Sequence, residues 1–135
     1  EVIPTLVAPS GRMEFINYND NAIIIDYAHT PDAIEKVITT VQEVIHGKTY
    51  VVFGCTGDRD RTKRPIMTRL VNNLSDYFII TNDDPHYEDP KQIVDDMTKD
   101  FVSDKYEICL DRHTAIIKGI ELLDKEDLYL SRFLH

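Results

Sequence analysis

The stretch Ala22-Ile23-Ile24-Ile25-Asp26-Tyr27-Ala28-His29-Thr30-Pro31-Asp32-Ala33-Ile34 decides how this chain folds. Its apolar opening reads as a strand over Ala22 to Tyr27, with Asp26 placing a carboxylate where the strand leaves the core. Pro31 suits the first turn of a helix, because its missing N–H would be unsatisfied there in any case. Behind it Ile34, Val37, Ile38, Val41, Val44 and Ile45 recur at helical spacing. A strand, a polar loop and a helix therefore follow one another, and the rest of the chain repeats that unit.

Upstream, Met13 to Asn17 reads as a strand joined to the first by a turn at Tyr18-Asn19-Asp20-Asn21, residues that tolerate turn conformations. Downstream come a strand at Tyr50 to Cys55 and a helix opening near Pro65, with Ile66, Met67, Leu70, Val71 and Leu74 on one face. A strand at Tyr77 to Thr81, a helix from about Pro90 to Phe101, a strand at Glu107 to Leu110 and a helix over Thr114 to Leu123 follow. Asp127 to Ser131 suggests a last strand. Such alternation implies an α/β domain whose mostly parallel sheet starts with a β-hairpin and carries helices on both faces. Residues 1–10, with Pro4 and Pro9, read as a tether from something upstream.

Composition narrows the partners. The chain has 135 residues, 42% hydrophobic and 29% charged, which suits one globular domain with a sizeable core. With 15 Lys and Arg against 24 Asp and Glu, a net charge of −9 disfavours nucleic acid. No apolar run approaches the roughly 20 residues of a membrane span. The first residues lack the pattern of a secretory signal, so a cytoplasmic location is expected. Cys55 and Cys109 lack metal-binding spacing, fall in strand-like segments and read as small core residues, so no metal site is expected of them. Gly47-Lys48-Thr49 resembles the end of a phosphate-binding loop. That motif requires glycine where Gln42 stands, and a following helix where a strand follows here.

Ligands of open α/β sheets bind beyond the carboxyl ends of the strands, and the loops there are unusually polar. The first, Asp26 to Asp32, offers Asp26 and His29 to ribose hydroxyls, a base or a cation; Asp26 and Thr30 could equally cap the next helix. The second, Gly54 to Arg64, packs Arg59, Arg61, Lys63 and Arg64 beside Asp58 and Asp60. Guanidinium groups suit an anionic ligand at a helix start, although the charges could also pair among themselves. The third, Asn82 to Asp89, is acidic, with Asp83, Asp84, Pro85 and His86 in succession. It would attract an amine, unless the two Asp serve only as turn formers.

Taken in order, Gly11-Arg12, Asp26-Tyr27-Ala28-His29-Thr30-Pro31-Asp32, Phe53-Gly54-Cys55-Thr56-Gly57-Asp58-Arg59-Asp60, Lys63-Arg64-Pro65 and Asp83-Asp84-Pro85-His86 resemble the third domain of MurE-type Mur ligases, the UDP-N-acetylmuramyl-tripeptide synthetases. The likeness runs from about Gly11 to Leu130, so residues 11–135 are expected to form a Mur ligase C-terminal, amino-acid-binding domain with a Rossmann-like, three-layer fold. It implies an enzyme of peptidoglycan precursor synthesis that uses ATP and Mg2+, both held mainly by upstream domains. Such an enzyme joins a diamino acid to UDP-MurNAc-L-Ala-D-Glu. By the same resemblance Arg12 and Asp26 take part in catalysis and, with His29, position the nucleotide. Arg59 would hold the α-carboxylate of the amino acid, and Asp83, Asp84, Pro85 and His86 would face the rest of it.

Two departures from the family pattern bear on the substrate. His86 stands where diaminopimelate-using members typically carry Arg, which favours a lysine-like diamino acid without a second carboxylate. The family's Gly-Lys-Gly-His-Glu segment is replaced after Leu130 by Ser131-Arg132-Phe133-Leu134-His135. The competing expectation is a stand-alone α/β ligand-binding or regulatory module that catalyses nothing.

Overall fold

The computed structural model describes residues 5–7, 13–18, 20–26, 30–55, 61–83 and 87–123. Its elements run β1 (Thr5–Val7), β2 (Met13–Tyr18), β3 (Asn21–Asp26), α1 (Pro31–Val44), β4 (Thr49–Phe53), α2 (Lys63–Leu74), β5 (Tyr77–Ile80), α3 (Pro90–Met97), β6 (Tyr106–Ile108) and α4 (Arg112–Leu123). The strands form one six-stranded sheet in sequence order, antiparallel from β1 to β3 and parallel from β3 to β6. The expected α/β class, hairpin and mostly parallel sheet are all present.

Local chemistry fixes the hairpin. Tyr18 pairs with Asn21, and Asp20 adopts φ 63°, a left-handed conformation that Asp tolerates better than most residues. The turn is buttressed from β4's approach: Gly47 N–H donates to the Asp20 carbonyl at 2.7 Å, and Lys48 N–H to Asn21 Oδ1 at 2.7 Å. A Cβ on Gly47 would lie 2.4 Å from the Asp20 carbonyl oxygen, so the glycine of the apparent phosphate-loop remnant serves this close approach.

Because β3 to β6 progress in one direction across the sheet, right-handed crossovers put α1, α2 and α3 on the same face. Ala22, Ile24, Val51, Phe53, Phe78 and Ile80 point into that layer, against Ile34, Ile38, Met67 and Ile93 among others. The alternate residues Ile23, Ile25, Val52 and Ile79 face α4 through Ala115 and Leu123. Gly119 lets α4 sit close to the sheet, since a Cβ there would fall 2.0 Å from Ile23 Cδ1. Phe78 stacks on Tyr106 at 5.3 Å and meets Phe53 and Phe101 at tilted angles.

Several boundaries differ from the sequence expectation. Thr5–Val7, read as part of a tether, pairs with β2 as an edge strand. The third helix stops at Met97 instead of reaching Phe101, because Asp100 turns into φ 53° and Phe101 N–H donates back to the Thr98 carbonyl. Val44 and Ile66, expected on apolar stripes, are 62% and 52% exposed. The last strand expected at Asp127 to Ser131 lies outside the described residues. Phe78 is fully buried at the centre of the aromatic group, so Phe78→Ala is expected to cost about 3–5 kcal/mol. Urea denaturation monitored by circular dichroism checks this through the shift in midpoint.

Candidate functional site

The register of the parallel strands sets the site. Asp26 pairs with Phe53 and Phe53 with Ile80, so β3, β4 and β5 end at one level and their loops leave the sheet side by side. Met13, the sequence neighbour of Arg12, pairs with Asp26 at that same end. Asp26 itself is 2% exposed, at the strand terminus where the sequence put it. Capping of α1 falls to Thr30, whose Oγ1 accepts from Ala33 N–H at 3.2 Å.

Gly54 draws the second and third loops together. A Cβ at this position would meet the Thr81 carbonyl oxygen at 2.3 Å and the Asp83 nitrogen at 3.0 Å, and the neighbouring Thr81 N–H donates to the Phe53 carbonyl. Cys55, next along, is buried against Met67, with the two sulfurs 4.0 Å apart. Burial pushes its thiol up to about 12, against an opposing effect of the Arg64 charge, with Asp83 adding to the rise. A thiol held that high is a packing residue and not a nucleophile.

Arg64, read from the sequence as one of the loop cations suited to an anionic ligand, is instead buried. It is 1% exposed, and its guanidinium grips Glu88 with a two-pronged contact, Nη1 to Oε1 at 3.0 Å and Nη2 to Oε2 at 2.9 Å. Nη1 also donates to Asp96 Oδ2 at 2.9 Å. Asp96 in turn accepts from Arg61 Nε at 2.8 Å and Nη2 at 3.2 Å, and from Gln92. Thus two of the loop's cations are engaged by acidic partners from α3 and the residues before it. Arg61 and Arg64 are paired with carboxylates far along the chain, whereas the sequence offered them partners within their own loop.

The third loop is also less acidic than its sequence. Arg112, at the start of α4, donates from Nη2 to Asp83 Oδ1 and from Nε to the Asn82 carbonyl, both at 3.2 Å. Part of the negative charge expected of this loop is thus offset by Arg112. Sequence offered little signal for it, since residues 83 and 112 meet only because β5 and β6 are neighbours. Of the candidate site residues, Asp26 and Asp83 are described; Arg12, His29, Arg59, Asp84, Pro85 and His86 lie outside the described residues. A cavity of about 360 Å³, lined by Lys48, Tyr50, Asp76, Tyr77, Glu107 and Leu122, opens at the opposite end of the strands.

Residues 11–131 match the family described as Mur ligase, glutamate ligase domain. The chain belongs to the Mur ligase family. Curated relatives include a UDP-N-acetylmuramoyl-L-alanyl-D-glutamate--2,6-diaminopimelate ligase 2 of Clostridium acetobutylicum, 47% identical over 124 residues. That match covers 89% of this chain and 26% of the relative. The corresponding ligase of Clostridium botulinum is 42% identical over 131 residues, 95% of this chain and 27% of its own length. A solved structure of a 2,6-diaminopimelate ligase superposes with a TM-score of 0.68 at 39% identity, covering 82% of this chain and 23% of that one. The chain therefore spans about a quarter of the length of the Mur ligases it matches.

Two outcomes are expected of the ion-pair group. Arg64→Ala removes the guanidinium between Glu88 and Asp96; both keep some solvent, at 20% and 16% exposure, and Asp96 retains Arg61, so the loss belongs at the lower end for a broken buried pair, about 3 kcal/mol by chemical denaturation. The hydrogen bond from Arg61 chiefly, helped by Gln92 and Arg64, holds the Asp96 carboxyl below the ordinary carboxylate range. A carboxyl depressed in the folded state adds stability above its unfolded pKa near ~4, and that stability is lost as pH falls through the folded value. Asp96→Asn is therefore expected to flatten the acid limb of the stability profile below about pH 4. An acid limb as steep as that of the parent would remove Asp96 from this role.

Proposed function

We propose that this chain is the amino-acid-binding, C-terminal domain of an ATP-dependent ligase that joins 2,6-diaminopimelate to UDP-N-acetylmuramoyl-L-alanyl-D-glutamate. The observation that carries the reading is 47% identity, over 89% of the chain, to a ligase named for that reaction. The level ends of β3, β4 and β5 support it, because they bring together the loops whose residues would meet nucleotide and amino acid. The names of the relatives move the proposed substrate from the lysine-like diamino acid suggested by His86 to diaminopimelate. The Arg112 cation beside Asp83 removes part of the charge argument for lysine.

In this reading the chain's own groups bind and orient. Arg12 reaches phosphate oxygens across a domain boundary and stabilises charge on the transferred phosphoryl group, while Asp26 and His29 position the nucleotide. Arg59 holds the α-carboxylate of the incoming amino acid, and Asp83, Asp84, Pro85 and His86 line the part of the pocket that receives its side chain. ATP supplies the phosphoryl group that activates the acceptor carboxylate. Among the described residues no cluster of three His, Cys, Asp or Glu side chains is placed to hold a metal ion, and Gly47-Lys48-Thr49 leads into β4 instead of a helix. In this proposal the Mg2+ and the main phosphate cradle belong to upstream domains, as the family resemblance implies.

Side-by-side turnover by the full-length protein tests the substrate: diaminopimelate is expected to be used in preference to lysine, and a clear preference for lysine would restore the His86 argument. Within that enzyme Arg59→Ala is expected to raise KM for the amino acid about ten- to a hundredfold, with much less effect on KM for ATP. An unchanged amino-acid KM would take Arg59 out of the pocket. The isolated 135-residue chain is expected to show no ATP turnover above an Arg12→Ala control.

A further inference from the structure

Arg112 occupies an electrostatically unfavourable place. It is the first residue of α4, where the exposed N–H groups of the helix carry partial positive charge and acidic side chains are preferred. Asp111 already serves that end, its carboxylate accepting from the Thr114 N–H at 3.0 Å. A cation at this position needs another reason. The Arg112 side chain leaves its own helix to contact the third loop at two points, the Asn82 carbonyl and the Asp83 carboxylate. The Asp83 side chain is 11% exposed and the Arg112 side chain 43%, so a largely covered carboxylate is met from the solvent side.

The far end of the same loop is held in a matching way. Glu88 is gripped by Arg64 of α2, which packs on the opposite face of the sheet from α4. One loop is thus tied at Asp83 to one helical layer and at Glu88 to the other. Arg64 is buried and its loss would unsettle the fold, whereas the Arg112 side chain is 43% exposed. The pair therefore divides naturally into a structural post and an adjustable one.

We propose that Arg112 is a positioning residue of the amino-acid pocket, setting the approach of the third loop through Asn82 and Asp83. This rests on the diamino-acid reading of that loop given above. Arg112 touches neither substrate nor nucleotide in this role; it fixes the direction in which the chain enters the loop.

The test is steady-state kinetics on the full-length ligase, with whichever diamino acid the parent enzyme turns over, alongside thermal unfolding. Arg112→Ala is expected to raise KM for the diamino acid about five- to tenfold while KM for ATP moves less than about twofold. Because an exposed ion pair adds little to stability, Tm is expected to stay within about 3 °C of the parent. Arg112→Lys keeps the charge but cannot donate in two fixed directions, so it should recover less than half of the lost affinity. Asp83→Asn should raise the same KM, and the double variant should be no worse than the more impaired single one. An unchanged diamino-acid KM in Arg112→Ala, an equal rise in KM for ATP, or full rescue by Lys would each overturn the proposal. A parent enzyme that uses lysine in place of diaminopimelate would contradict the proposed substrate alone, while one that uses neither would overturn both.

Discussion

A guanidinium taken out of water is tolerated only where carboxylates replace its hydration, and in this domain that constraint falls on Arg64. Its Nη atoms are met by Glu88 and Asp96, which come from the approach to α3 and from α3 itself. Replacing such a buried pair with apolar groups can be neutral or favourable, so its value lies less in net stability than in specifying one arrangement. Here the arrangement is the distance between α2 and α3, and with it the exit of the third loop. Arg64, which couples the second loop to the third, carries a charge already engaged by Glu88 and Asp96.

The sheet supplies the other half of the geometry. Three parallel strands that end in register deliver their loops to one edge, and Gly54 allows the second of them to lie against the backbone of the third at Thr81 and Asp83. A Mur ligase domain built this way brings its second and third loops to one edge of the sheet. Alternation of buried residues on β3, β4 and β5 keeps both faces filled, with α4 the one described helix on the second of them.

The parts legible in the sequence were those governed by local rules. Ala22 to Ile25 announced β3, Pro31 and Pro90 marked helix starts, and Asp26 was placed at the strand end because the apolar run stops there. The early end of α3 was hidden because Phe101 continues the apolar pattern, while the left-handed turn at Asp100 leaves no periodic trace. Residues 5–7 carried too few side chains to announce an edge strand between Pro4 and Pro9. The charges of the site were the least legible. Arg64 finds partners 24 and 32 residues away, and Arg112 one 29 residues away, so a loop that reads as basic and another that reads as acidic are both partly neutralised by the fold.

The central claim is that the diamino acid is received at the carboxyl edge of the sheet, between the Gly54 and Asp83 loops, and not in the cavity at the other pole. Hydrogen–deuterium exchange of the full-length protein, with UDP-N-acetylmuramoyl-L-alanyl-D-glutamate and a non-hydrolysable ATP analogue present, and with diaminopimelate then added or withheld, tests it most directly. The account predicts added protection in peptides covering residues 54–64 and 82–89, with no change around Lys48, Tyr77 and Glu107. Protection confined to Lys48, Tyr77 and Glu107, with none at residues 54–64 and 82–89, would contradict it.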